Sequence, residues 1–199
     1  MSLVFSAGAF LLDVEPGILG SAARVTPPPF AAVYDEHARF VWRTLVRLGV
    51  LRDDAEDVVQ EVFLVVHRRL VEFRHESSLR TWIYGIAAHT ARNYRRTRDR
   101  RPPGAEEPKD GVPAPAERRP DALVAKAQAA EVLVRVLEEL GHDSREVFVL
   151  AELEGLTAGE IGVALGLSPN TVSSRLRIAR KSFDEAVRRH RARDEWRMR

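Results

Sequence analysis

The chain of 199 residues contains no cysteine and carries little net charge, +2 from 31 basic and 29 acidic residues. Without cysteine it can form neither disulfides nor thiolate metal sites, and its scattered histidines show no recognisable ligand spacing with Asp or Glu. No Ser/His/Asp arrangement and no phosphate-binding glycine loop is present either. We therefore expect no catalytic residues, no cofactor and no metal, and a protein that is not an enzyme.

Long apolar runs are also missing. Residues 3–5 and 10–12 are apolar, but no Lys or Arg precedes them, and Asp13 and Glu15 interrupt the segment. It is a poor signal peptide and too short to span a membrane, so we expect a cytoplasmic protein without membrane insertion. Residues 1–29 end in three consecutive prolines and are interpreted as a flexible N-terminal extension, with a small docking or regulatory tail as the alternative.

The small net charge conceals a separation of charges along the chain. One segment is acidic, and its residues are Asp53, Asp54, Glu56, Asp57 and Glu61. Two segments are basic, one over residues 92–101 and the other over residues 175–199. Separate acidic and basic surfaces indicate two kinds of partner, a basic protein surface and a nucleic acid.

Glycine and proline are scarce between residues 30 and 101. This segment has two glycines, Gly49 and Gly85, and no proline. Apolar residues recur there at helical spacing, which predicts three helices and an all-α fold. The first runs from about residue 30 to 48. Asp53 or Asp54 is expected to cap the second. The third begins after Ser77-Ser78 and becomes strongly basic toward its end.

Proline and glycine concentrate instead in residues 102–120, which are predicted to be a linker between two small helical domains. The second domain is expected to contain a helix over about 121–140, another over about 144–154, and a final pair of helices. In that pair Thr157 and Glu160 have the spacing of a capping box, and Gly166 suits the left-handed residue that ends a helix. Ser168 then caps a second helix that starts at Pro169.

This final pair is predicted to be a helix-turn-helix. On its second helix the residues Val172, Leu176, Ala179 and Phe183 form an apolar face. Short polar and cationic side chains form another face, which suits contacts with base edges and phosphates. The alternative is an ordinary helical hairpin whose charged face is merely solvated.

Three runs in this order resemble the sigma-70 family of bacterial RNA polymerase factors, and in particular the small extracytoplasmic-function (ECF) class. They are Asp-Ala-Glu-Asp-Val-Val-Gln-Glu-Val-Phe at residues 54–63, Ser-Ser-Leu-Arg-Thr-Trp-Ile-Tyr at 77–84, and residues 145–176 with the helix-turn-helix. The resemblance covers most of residues 30–101 and 122–190. It implies a sigma region 2-like domain at 30–101, a linker at 102–121 and a sigma region 4-like domain at 122–195.

The resemblance also implies partners and site residues. Core RNA polymerase would be bound through its largest-subunit coiled coil and its flap region, and the residues that match the coiled-coil contact are Asp54, Asp57, Gln60 and Glu61. Promoter DNA would be bound in single-stranded and duplex form, which implies a nucleoid-associated protein. The minus-ten candidates are Phe73, Arg74, His75, Ser77, Ser78, Arg80, Arg92, Tyr94, Arg95 and Arg96. The minus-thirty-five candidates are Asn170, Thr171, Ser173, Ser174, Arg175, Arg177, Arg180 and Lys181.

An anti-sigma factor is a further partner that the resemblance implies. The chain departs from the family pattern at a few positions; for example, Gly85 stands where a basic residue is frequent. An alternative function is a conventional helix-turn-helix repressor or activator that binds duplex DNA without polymerase. The acidic face would then be only a solvated surface.

Overall fold

A computed structural model describes residues 28–100 and 121–197, and in these two segments the chain is helical. Seven α-helices follow one another there: α1 (Phe30–Arg47), α2 (Ala55–Arg69), α3 (Leu79–Asp99), α4 (Asp121–Glu138), α5 (His142–Phe148), α6 (Ala158–Leu165) and α7 (Pro169–Arg197). The described residues contain no strand. The all-α prediction is therefore confirmed. The predicted extension at residues 1–29 lies almost entirely outside the described residues, as does the predicted linker except for its last residue.

In the N-terminal half, α1, α2 and α3 pack around a common apolar core. Val41, Leu45, Val62 and Ile83 are completely buried in it. The ring of Phe40 lies edge-on to that of Tyr84, with 4.3 Å between centroids. This core fixes the outward faces of α2 and α3, which carry the charged residues of this half.

The helix boundaries in this half follow local chemistry. Ser78 caps α3 by accepting a hydrogen bond from the Thr81 amide at 3.0 Å, as predicted. Gly49 follows α1 with a φ of +97°, a conformation that a side chain would oppose. Asp54 occupies the expected N-cap position of α2, at the end of a short 3₁₀ turn over Arg52–Asp54, but its side chain makes no cap hydrogen bond.

In the C-terminal half, α6 and α7 form the helix-turn-helix. Thr157 and Glu160 make the predicted capping box, and Gly166 ends α6 in the left-handed conformation with a φ of +67°. Ser168 accepts a hydrogen bond from the Thr171 amide at 3.2 Å, which starts α7. The predicted helix over about 144–154 is instead the short α5 followed by a π-helical turn over Val149–Leu153. That turn closes with a bond from the Glu154 amide to the Val149 carbonyl.

The two halves pack directly against each other. One continuous cluster of buried apolar residues includes Leu45 and Ala88 from the N-terminal half and Leu137 and Val149 from the C-terminal half. Helix α6 lies on α3, and α4 lies against α1. Two linked domains were predicted, but this close packing was not. None of the helices in the two described segments is long and apolar enough to cross a membrane.

Candidate polymerase and DNA interfaces

The polar face of α7 is open to solvent. Its apolar side is anchored by Val172 and Ala179, which are both fully buried. The exposed residues on the other side, which we call the recognition face, are Asn170, Ser173, Ser174, Arg177 and Lys181. Thr171 and Arg175 are half-buried, and Arg180 is exposed. A helix presented in this way by a capped turn can enter a major groove.

Two arginines beside the recognition face are held by carboxylates of the same half. Arg175 Nη2 lies 2.7 Å from an oxygen of Asp143, and Arg180 Nη2 lies 2.7 Å from an oxygen of Glu152. These two arginines were predicted to contact the DNA backbone. One member of each pair is more than half exposed, so water and phosphate oxygens can compete for the guanidinium groups at modest cost.

The outward side of α2 presents the predicted polymerase-binding residues. Asp57, Gln60 and Glu61 are exposed on it, whereas Val58 and Val62 on the opposite side are buried. An exposed acidic helix face that is anchored by an apolar one suits a basic protein surface.

Asp54 differs from the other predicted polymerase contacts because it is half-buried and accepts a 2.6 Å hydrogen bond from the Tyr94 hydroxyl. Burial and this carboxylate raise the pKa of Tyr94 to about 12. The hydrogen bond joins a predicted polymerase contact to a predicted minus-ten contact.

Between α2 and α3 the chain brings three aromatic rings together. The ring of Phe73 lies 4.5 Å from that of His75 and 5.3 Å from that of Trp82, centroid to centroid. Of the predicted loop contacts, Phe73 and Ser77 are half-buried, and the exposed ones are Arg74, His75 and Ser78. Trp82, interpreted from the sequence as mainly a core residue, is half-buried. Accessible ring faces of this kind can stack on unpaired bases.

The backbone of this loop is unusual at His75, which has a positive φ of 57°. Few residues other than glycine adopt this conformation, although His does so more often than most. An open groove of about 610 Å³ adjoins the loop and is lined by Ser77, Trp82 and Ile86, with Val163 of α6 on its far side.

The arginines of α3 are engaged by two glutamates of the C-terminal half. Arg92 and Arg95 bind the two oxygens of Glu146 at 2.6 and 2.7 Å. Arg80 lies 3.3 Å from Glu154. We call Arg80, Arg92 and Arg95 the arginine face. Arg96 differs from the other three predicted minus-ten arginines of α3. It is exposed, and it makes no ion pair with a glutamate of the C-terminal half.

Glu154 is bound by more than one residue. Arg47 donates to it at 2.6 Å, and the Tyr84 hydroxyl donates to its other oxygen. Burial and this carboxylate raise the pKa of Tyr84 above its usual range. Hydrogen bonding to Glu146 likewise raises the pKa of Arg92.

Arg95 and Arg145 together cap the C-terminal end of α1. Arg95 is 7% exposed and also donates to the Leu48 carbonyl. Arg145, 4% exposed, donates to the Arg47 carbonyl, and burial lowers its pKa to about 10. Cations suit this end of the helix dipole.

Arg145, Glu146 and Glu154 were not among the functional residues predicted from the sequence. They lie in the run at residues 145–176 that carries the family resemblance, where as charged residues they interrupt an apolar segment. Within the described segments, no group of three or more His, Asp or Glu residues is placed to hold a metal ion.

The Sigma-70 region 2 family matches residues 33–101, and the Sigma-70, region 4 family matches residues 130–183. The ECF RNA polymerase sigma-E factor of Escherichia coli (strain K12) is 35% identical over 151 residues, which cover 72% of this chain and 79% of that protein. The sigma-E factor of Haemophilus influenzae is 32% identical over 145 residues, 69% of this chain and 77% of that protein.

Two solved structures share the fold. RpoE in complex with the anti-sigma factor NepR from Bartonella quintana has a TM-score of 0.62 at 20% identity, and covers 80% of this chain and 96% of that one. CnrH in complex with the cytosolic domain of CnrY has a TM-score of 0.57 at 24% identity, and covers 79% and 86%. From both family matches and the identity to the sigma-E factors, the chain belongs to the sigma-70 family, as an ECF RNA polymerase sigma factor.

Proposed function

We propose that this chain binds core RNA polymerase and directs it to promoters, with one surface for the enzyme and two for DNA. The observation that carries the proposal is the simultaneous exposure of the acidic side of α2 and the recognition face of α7. A regulator that acts without polymerase needs the second surface but not the first. Family membership supports the same function.

The proposed division of labour follows the predicted boundaries. Residues 30–101 bind polymerase and recognise and melt the minus-ten element, residues 122–195 read the minus-thirty-five element, and residues 102–121 connect them. Promoter DNA places the protein at the nucleoid. Each task is one of binding, and the protein contributes no reaction of its own.

The polymerase contact is proposed to use Asp54, Asp57, Gln60 and Glu61 against basic groups of the largest-subunit coiled coil, with a further contact at the flap. Charge complementarity of this kind governs the rate and specificity of association more than its net affinity. Placing arginines on the same face would set like charges against each other, which costs several kcal/mol by order of magnitude.

The minus-ten contact is proposed to combine the ring cluster of Phe73, His75 and Trp82 with cationic side chains of α3. Extruding a base from the duplex costs a few kcal/mol, by order of magnitude. Stacking on an aromatic side chain returns about 1–3 kcal/mol per base, so a few such contacts can offset the cost. Exposed ring faces beside a cationic helix are the arrangement that this task needs.

In the minus-thirty-five contact, Asn170, Ser173, Ser174 and Arg177 are proposed to reach base edges or their immediate surroundings. Arg175, Arg180 and Lys181 are proposed to position the DNA backbone. The side chains nearest the start of α7 are short and polar, which allows the helix to approach the groove floor closely.

Control by an anti-sigma factor is also proposed. The solved structures of CnrH and RpoE each contain a bound partner, CnrY and the anti-sigma factor NepR. In this chain the groove beside Trp82 extends to Val163, an apolar side chain that is 68% exposed. A groove of this size between the two halves, lined by both apolar and polar side chains, suits an amphipathic helical segment of another protein.

The test is a pull-down of purified core RNA polymerase followed by run-off transcription from a promoter library. We expect stoichiometric binding and new start sites. The double variant Asp57→Arg with Glu61→Arg should abolish both while leaving duplex binding by the full chain intact. Asp35→Arg with Glu36→Arg, which changes the charge equally on the exposed side of α1, is the matched control and should retain both. Failure of the unaltered chain to bind polymerase, with duplex affinity retained, would establish the conventional regulator.

A further inference from the structure

Helix α7 exposes a large apolar side chain beside the recognition face. Ile178 is 49% exposed. The apolar residues that precede and follow it on this helix, Leu176 and Phe183, pack against the core instead. Ile178 is therefore not part of the apolar side that anchors α7, and its position relative to the polar residues of the helix decides what it contacts.

Ile178 lies in line with residues of the recognition face. Ser174 precedes it by four residues and Lys181 follows it by three, and residues at these spacings are neighbours on the surface of a helix. Both neighbours are exposed. A surface that binds the recognition face along its length must therefore also meet the side chain of Ile178.

The charges around Ile178 select DNA as that surface. Arg177 and Lys181 flank it and are exposed, and the first exposed acidic residue of α7 is Asp184, one turn further along. A phosphate backbone is therefore attracted to the part of the helix that contains Ile178. A protein surface docked on Ile178 would have to bury the two cations with it, which is costly unless each finds a partner.

An aliphatic side chain in the major groove favours one of the four bases. Guanine, cytosine and adenine present hydrogen-bond donors and acceptors there, whereas thymine also presents its C5 methyl group. A polar base edge covered by isoleucine would lose water and gain no hydrogen bond in return. Contact with a thymine methyl group instead removes apolar surface of both partners from water. Ile178 thus discriminates in favour of thymine.

The stiffness of isoleucine adds to this selectivity. Its β-branched side chain has one strongly preferred χ1 rotamer in a helix, so little side-chain freedom is lost when it meets a base. Ser174, one turn earlier, is short and allows α7 to approach the base edges closely. The methyl groups of Ile178 are therefore held in place before DNA arrives.

We propose that Ile178 is a specificity residue of the minus-thirty-five contact, and that it reads a thymine through the C5 methyl group of that base. The inference rests on the proposed function for the identity of the DNA element. Its physical content is a contact between one isoleucine and one methyl group of duplex DNA, which can be measured without polymerase.

The test begins with duplex sequences that the full chain selects from a randomised library. Each thymine of the selected site is then replaced in turn by deoxyuridine, which keeps the base pair and its polar groups and removes only the methyl group. We expect the replacement to weaken binding about 4-fold at one or two neighbouring positions, as for the loss of one buried methyl group. Fluorescence anisotropy measures the affinity.

Variants of Ile178 identify the side chain that senses the methyl group. Ile178→Ala should weaken binding by about 3- to 5-fold and make the sensitive position indifferent to deoxyuridine, because both changes remove the same contact and are not additive. Unfolding would not explain the loss, since alanine favours a helix. Ile178→Val, which keeps the branched side chain, should remain sensitive.

A second selection tests the direction of the preference. Ile178→Arg should replace thymine by guanine at the sensitive position, because a guanidinium group donates to the O6 and N7 atoms of guanine. Val132→Ala is the matched control, since it truncates an apolar side chain that is 40% exposed on α4. It should keep the thymine preference, the deoxyuridine sensitivity and the affinity within about 2-fold.

The inference is overturned if no thymine of the selected site responds to deoxyuridine by more than about 1.5-fold, or if Ile178→Ala keeps the response. It is also overturned if Ile178→Ala binds duplex normally but weakens the polymerase pull-down, because Ile178 is then a protein contact. If the full chain alone selects no sequence, its polymerase complex undergoes the same selection, and failure of both contradicts the inference. A chain that fails the pull-down but shows the methyl response would contradict only the proposed function.

Discussion

The recognition face of α7 and the arginine face of α3 are both cationic surfaces on helices anchored by apolar residues, yet the chain treats them differently. On α7, Arg177 and Lys181 are exposed. On α3, Arg92 and Arg95 are bound to a glutamate more than 50 residues away in the sequence, at 2.6 and 2.7 Å. A cationic helix is therefore available for DNA only if the rest of the fold does not pair its charged side chains with internal carboxylates.

This difference suits the two forms of DNA, duplex and single-stranded, that the two surfaces are proposed to bind. A duplex element can be read without prior change, so an exposed recognition face does no harm. A surface that holds single-stranded DNA would bind any exposed strand, because stacking and charge contacts are tolerant of sequence. Under the proposed function, the recognition face can meet a duplex while Arg92 and Arg95 are still bound to Glu146.

The largest expected effect comes from removing charge from the exposed surface. Arg177→Ala with Lys181→Ala should weaken duplex binding by the full chain about 10- to 100-fold and reduce its salt slope by about 2. Arg80→Ala with Arg92→Ala should change duplex affinity by less than about 3-fold, because these arginines are already engaged internally. Fluorescence anisotropy at several salt concentrations measures both. Equal losses in the two variants would contradict the comparison.

Local patterns explain how much of this could be predicted from the sequence. The capping box at Thr157, the left-handed Gly166 and the cap at Ser78 depend on neighbours within a few residues, and all three were predicted correctly. The apolar spacing of α2 likewise predicted the side of that helix that is buried, which includes Val58, Val62 and Val66.

The contacts between the halves could not be predicted in this way. Glu154 meets Tyr84 across 70 residues and Arg47 across 107. No periodicity encodes such a pairing, and an interior glycine such as Gly85 does not say which backbone approaches it. The arginines of α3 were therefore predicted to be DNA contacts without their internal partners.

The next effect concerns the turn that presents the recognition face. Thr157→Ala removes a cap from α6 and should lower the free energy of unfolding by about 1 kcal/mol, measured by urea denaturation. Duplex affinity should change by less than about 2-fold, because no DNA-facing side chain is altered. Thr157→Ser, which keeps the hydroxyl, is the control and should behave like the unaltered chain.

The same cap has a pH dependence. Hydrogen bonds from the Thr157 amide and hydroxyl hold the pKa of Glu160 below its ordinary value of 4.5. A lowered folded pKa means that this stabilisation is present above about pH 4.5 and is lost as the pH falls through the lowered value. Unfolding measured below pH 4.5 should therefore show a smaller difference between Thr157→Ala and the unaltered chain.

A smaller effect is expected when an arginine of α7 is released from its carboxylate partner. Asp143→Asn frees Arg175 from its 2.7 Å ion pair and removes a negative charge near the duplex. Duplex affinity should rise about 2- to 4-fold at low salt and converge with that of the unaltered chain at high salt, since exposed pairs contribute little. Glu131→Gln, which removes a carboxylate from α4, serves as the control. Unchanged affinity at low salt would show that the Asp143 pair does not restrain Arg175.

The smallest expected effect tests whether the hydrogen bond from Tyr94 to Asp54, a predicted polymerase contact, also holds α3 in place. Burial and the hydrogen bond to Asp54 raise the pKa of Tyr94 from 10.0 to about 12. Because the folded pKa is raised, this stabilisation is complete below pH 10 and is lost as the pH rises toward 12. Urea denaturation across that range should show Tyr94→Phe losing less stability than the unaltered chain, by about 1 kcal/mol or less after solvent screening. Parallel losses in the two proteins would show that the Asp54 bond does not tie the polymerase surface to the minus-ten surface.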